Sequence, residues 1–101
     1  MKHRKVKLSS ILISLRKLKP ELNKKYYVKN IGIFGSVVRG QADKSSDVDV
    51  LVDFSRSLDL FDFIALENYL SEKTGAKIDL VSAKAVRDEF KDNILKEVIY
   101  I

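Results

Sequence analysis

Cysteine is absent from the sequence, which removes disulfides, thiolate metal sites and thiol nucleophiles together and suits a reducing cytoplasm. Histidine occurs once, as His3 in a basic terminus, where it reads as a solvated residue. With no other histidine, and with no elbow glycine before Ser36, a serine hydrolase is excluded. No apolar run exceeds a few residues, so nothing in the sequence reads as a membrane span. The opening "MKHRKVKLSSILISLRKL" has the outline of a signal peptide, but Arg16 cuts its apolar part and no small-residue cleavage site follows, so it is read as mature sequence. Repeats, linkers and low-complexity segments are also lacking, and residues 1–101 are expected to form one domain.

What is present is the composition of a soluble globular protein, 46% hydrophobic and 33% charged, long enough to bury about two-thirds of its unfolded surface. The net charge of +5 conceals an asymmetry. Residues 1–30 hold ten Lys or Arg against Glu21 alone, a net +9, whereas residues 31–101 hold nine against thirteen acids, a net −4. The basic part is the leading helix. It is either the solvated face of a surface helix, the reading charge alone favours, or a patch for nucleic acid or an acidic partner.

The periodicity alternates between helix and strand. Leu8, Ile11, Leu12, Leu15 and Leu18 recur at helical spacing, with Ser9 or Ser10 as a cap, and Pro20 is expected to open a short second turn. "VKNIGIF" reads as a strand that ends at Gly35, and "DVDVLVDF" alternates strictly and is the clearest strand. Leu60, Phe63, Leu66 and Leu70 mark a helix closed by Gly75. "AKIDLVS" is a third strand, and "AVRDEFKDNILKEVIYI" a last helix with a short tail. The expected fold is α/β, a small mixed sheet with helices packed on one face.

Side chains two apart on a strand share a face. Asp47, Asp49, Leu51 and Asp53 therefore point one way, and Val48, Val50, Val52 and Phe54 point the other, toward the core. Asp47 and Asp49 stand about 7 Å apart along the strand. Asp79, between Ile78 and Leu80, joins them if the third strand lies beside the second. Two anions about 6 Å apart repel by roughly 3 kcal/mol at an effective dielectric of 20, and a divalent cation reverses that sign. Oxygen ligands without His or Cys suit Mg²⁺ or Mn²⁺, and a carboxylate shared by two ions suits in-line phosphoryl transfer. Aspartate is depleted in strands, which favours metal binding over simple solvation for Asp47 and Asp49. Asp53, alone at the strand end, is read as solvated.

The glycines fail three rival motifs. Gly35 and Gly40 have Walker A spacing, but Gln41 and Ala42 replace the required Lys and Ser/Thr. Gly32, Gly35 and Gly40 have the wrong intervals for a dinucleotide fingerprint. A calcium loop starting at Asp43 fails because Val48 and Phe54 replace its Gly and Glu. There remains a strand, then Gly35-Ser36 and a candidate helical turn, whose free N–H groups, Ser36 hydroxyl and Arg39 suit a polyphosphate.

Taken together, Gly35-Ser36, then Asp47-Val48-Asp49, then Asp79 on a later strand resemble the signature of the DNA polymerase beta nucleotidyltransferase superfamily. "FGSVVRGQADKSSDVDVLVDF" is most similar to the minimal nucleotidyltransferase (MNT) antitoxins of HEPN/MNT toxin–antitoxin pairs, with Val38 where relatives often carry a smaller residue. The resemblance extends over nearly the whole chain. It implies a polymerase-beta-like nucleotidyltransferase fold and transfer of AMP from ATP. By resemblance Asp47 and Asp49 hold two Mg²⁺ or Mn²⁺ ions, Asp79 completes the first metal site and helps activate the attacking hydroxyl, Gly35 and Ser36 contact the nucleotide phosphates, and Arg39 supports the triphosphate. It implies a HEPN-domain RNase toxin as partner, with a tyrosine as AMP acceptor, in the cytoplasm and away from membranes. Two other readings stay open: an antitoxin that inhibits by occlusion alone, and addition of nucleotides to RNA, which only the basic helix favours.

Overall fold

The computed structural model describes residues 8–41 and 47–101. His3, Ala42 and Asp43 lie outside the described residues. The β-branched and aromatic run Val28–Phe34 forms β1, Val48–Phe54 forms β2, Ile78–Ser82 forms β3 and Ile99–Tyr100 forms β4. They make one mixed sheet in the order β3-β2-β1-β4. β1 runs antiparallel to both β2 and β4, whereas β2 and β3 are parallel. The parallel pair needs a crossover, which the helix α2, Leu60–Thr74, supplies.

Alternation along β2 sorts its faces as expected. Val48, Val50 and Val52 are fully buried and join Ile31, Ile33, Leu66 and Leu70 in the core. Helix α1, Leu8–Tyr26, adds Ile11, Leu15 and Leu22 to the same cluster. Leu51, on the opposite face, is also buried. Helix α3, Asp88–Glu97, accounts for this, because its Ile94 and Leu95 line a shallow pocket with Leu51 and Tyr100. Replacing Leu15, which is fully buried, with alanine is expected to lower unfolding free energy by about 2–5 kcal/mol. Urea denaturation monitored by circular dichroism measures this, and a change below 1 kcal/mol refutes the packing described.

Three local expectations are corrected. Ser9 and Ser10 lie inside α1 rather than capping it, and Pro20 does not open a second turn but sits within the same helix. Pro20 removes the bond to the Arg16 carbonyl, yet both residues are exposed, so water can satisfy that carbonyl while buried Leu22 holds the next turn on the core. The short tail is the strand β4, which pairs Tyr100 with Gly32 and Ile99 with Ile33. Gly32 permits this approach: a Cβ there would stand 2.7 Å from Val98 Cγ2 and 2.9 Å from the Ile99 carbonyl. A 3₁₀ turn, Ala83–Ala85, precedes α3. Helix α2 begins and ends as its sequence suggests. Asp59 caps its start by accepting from the Asp62 N–H at 2.8 Å, and Gly75 closes it with φ 69°.

Candidate active site

β2 begins beside β3, and Asp49 is the direct register partner of Asp79. Partners in a parallel ladder share a face, so these two carboxylates face the same side of the sheet. Asp47 immediately precedes β2 and is exposed, as is Asp79, whereas Asp49 is half-buried. Burial is the main cause that pushes the Asp49 carboxyl above its ordinary range, with the charges of Asp79 and Asp47 adding to it and Arg39 opposing it. Asp47 also faces Lys77, with Nζ 3.6 Å from Oδ1, an exposed pair of little energetic weight. Among the described residues, no three Asp, Glu or His side chains are gathered closely enough to hold an ion as they stand. Asp49 and Asp79 are thus brought together, and Asp47 lies beside them but turned toward Lys77. Asp53 stands at the other end of β2, paired with Asn30.

The glycine segment closes on the same edge. Phe34, the last residue of β1, is the register partner of Asp49, which delivers Gly35 directly against the carboxylate. Gly35 has φ +84°, and a Cβ there would fall within the Asp49 carboxyl group, so only glycine fits. Its carbonyl then accepts from the N–H groups of Val38 at 3.1 Å and Arg39 at 3.2 Å, and the Ser36 carbonyl accepts from Gln41 at 2.9 Å. This is the helical turn expected from the sequence, anchored by buried Val37. Among the described residues, no backbone acceptor meets the N–H of Ser36 or Val37.

Glu97 was not singled out by sequence reasoning. Its Oε1 accepts from the Gly35 N–H at 2.8 Å and from Arg39 Nη1 at 3.1 Å, and its Oε2 accepts from the same Nη1 at 2.9 Å. Arg39 Nε donates to Gln41 Oε1 at 3.3 Å. A signal was available: Glu97 ends α3, where the helix dipole disfavours a carboxylate, so a compensating cation is to be expected.

Residues 15–101 match the nucleotidyltransferase domain family. The chain belongs to that family. As a family member it is a nucleotidyltransferase. It is 42% identical over 94 residues to the protein adenylyltransferase MntA of Thermococcus cleftensis, an alignment covering 93% of this chain and 92% of that protein. A solved structure provisionally described as a minimal nucleotidyltransferase superimposes with a TM-score of 0.77 at 30% identity, covering 93% of this chain and 95% of the other. The MNT antitoxin in complex with the tri-AMPylated HEPN toxin of Shewanella oneidensis shares the fold, with a TM-score of 0.66 at 18% identity over 89% of this chain and 70% of that one. The expected α/β nucleotidyltransferase fold is thereby borne out. Among the described residues, no helix is long and apolar enough to cross a membrane.

Proposed function

We propose that this nucleotidyltransferase transfers AMP from ATP to a tyrosine of a HEPN-type RNase and thereby acts as its antitoxin in the cytoplasm. The observation that carries the reading is the meeting of Asp49 and Asp79 across the β2–β3 ladder, directly against the Gly35 turn. One edge of the sheet then offers carboxylates for cations and N–H groups for phosphate. The protein name of the Thermococcus relative and the AMP groups on the HEPN toxin in the Shewanella complex support the acceptor class.

The donor set fits hard divalent cations: oxygen ligands only, with Asp49 carrying a like-charge burden that Arg39 offsets only in part. Asp47, Asp49 and Asp79 would hold Mg²⁺ or Mn²⁺, two ions in all. Bound there, such ions would neutralise charge developing on the phosphates. In the transfer, the acceptor hydroxyl oxygen bonds to the α-phosphorus as the bond to the bridging oxygen breaks and pyrophosphate leaves. Asp79, which is exposed on β3, would accept the hydroxyl proton. Ser36 and Val37 present N–H groups to the phosphates, and Arg39 adds positive charge.

The test is ATP labelled at the α-phosphate, incubated with the chain, a candidate partner and total RNA. Label is expected on the partner's tyrosine, with mass increments of about 329 Da for each AMP, a covalent phosphodiester product. Label on RNA overturns the acceptor. Tight binding that silences the partner without label overturns the transfer reading in favour of occlusion.

A further inference from the structure

Two groups of the glycine turn, the Gly35 amide and the Arg39 guanidinium, converge on a single carboxylate from a distant part of the chain. Glu97 bridges them. Its position is not adjustable in the way of an exposed side chain. Val98, the next residue, donates its N–H to the Ile94 carbonyl at 2.9 Å, and Ile99 and Tyr100 then pair with β1. Val98 packs where Gly32 leaves room for it. The carboxylate is thus held from both sides, by the last turn of α3 and by β4.

The division of the guanidinium is the informative feature. Nη1 is taken by Glu97 and Nε by Gln41, whereas among the described residues Nη2 has no acceptor. An arginine held by two of its nitrogens is fixed in direction. A flexible arginine loses rotamer freedom when it binds a ligand, a cost of about one factor of three to ten in affinity. An arginine already fixed does not.

We propose that Glu97 is a positioning residue of the nucleotide site, holding Arg39 and the Gly35 turn in the arrangement that receives the triphosphate. The inference rests on the nucleotidyltransferase reading above and adds a residue to it. Glu97 contacts neither phosphate nor acceptor and acts through Arg39. The opposite role is that of a placeholder which the triphosphate must displace. The two roles give opposite signs.

The experiment is a double-mutant cycle on MgATP binding by calorimetry, with Glu97→Gln, Arg39→Ala and the double variant, alongside KM and kcat for AMP transfer. Glu97→Gln keeps an acceptor for the Gly35 amide and the length of the side chain while losing the charge that fixes Arg39. The expected result is weakening of MgATP binding by roughly three- to tenfold and a matching rise in KM with kcat nearly unchanged. In the Arg39→Ala background the Glu97 substitution should add almost nothing. Tighter binding in Glu97→Gln overturns the proposal and makes Glu97 a placeholder. Additive effects overturn it as well, and leave Glu97 a purely structural residue. Melting temperatures of all four proteins separate loss of folding from loss of positioning, and Glu97→Ala serves as the second variant. If the unsubstituted chain binds no MgATP, the nucleotide-site reading fails and the proposal with it. If it binds MgATP without coupling between the two residues, only the role of Glu97 fails.

Discussion

Asp49→Asn is expected to abolish AMP transfer, by about 10³-fold or more, while leaving the melting temperature in metal-free buffer unchanged or higher. The loss in rate follows from removing one ligand charge that would hold the cations, whose contribution at the transition state amounts to several kcal/mol. The gain or neutrality in stability follows from the electrostatics of the unliganded site. Burial, Asp79 and Asp47 raise the Asp49 carboxyl above its ordinary range, so its ionised form is disfavoured in the folded state. A group with a raised folded-state value contributes stability that is fully present below its unfolded value and is lost as pH rises through the folded one. The native protein without metal should therefore lose part of its stability as pH climbs from about 4 through the raised value, and Asp49→Asn should flatten that slope. Addition of Mg²⁺ with ATP should stabilise the native chain by mass action and the variant much less. Differential scanning calorimetry across pH, with and without MgATP, reads all three effects. A fall of several degrees in the metal-free variant would show that the carboxylate is structural.

How far the sequence revealed this site depends on whether its contacts are local. The strict alternation of "DVDVLVDF" made the buried valine face and the aspartate face legible, because period two admits one register against a core. Gly35 and Gly75 were legible as chain punctuation, since both hold positive φ. The convergence of Asp49 with Asp79 required only that β3 lie beside β2, a common outcome for sequential strands joined through a helix. Other features depended on distant partners. The continuation of α1 through Pro20 is decided by buried Leu22, a tertiary contact that outweighs the local penalty of proline. The strand β4 is two residues long, too short for any periodicity, and exists because Gly32 has no side chain. Glu97 meets Gly35 across 62 positions of chain, and no pattern within either segment announces the pair. Asp47 was expected to converge with its neighbours, but an exposed carboxylate at a strand end takes the nearest cation, Lys77.

Gly35→Ala should severely damage transfer, and it should also reduce stability. Two costs act at this position, and they can be separated. The backbone holds φ +84°, which for a residue with a Cβ costs about 1–2 kcal/mol. The added methyl group would also enter the space of the Asp49 carboxyl, so Asp49 must turn away from Asp79 or β1 must part from β2. Either movement displaces the carboxylate by about 1 Å or more, enough to lower transfer on the order of 10²-fold or beyond. Urea denaturation should show a loss of roughly 2–3 kcal/mol, the strain plus the steric part. Asp49→Ala offers the control, because it removes the atoms the methyl group meets. In that background Gly35→Ala should cost only the backbone strain, about 1–2 kcal/mol, giving a favourable coupling energy between the two positions, while transfer stays abolished. Full activity in Gly35→Ala would refute the close approach of the turn to Asp49. Equal destabilisation with and without the Asp49 side chain would assign the whole effect to the backbone.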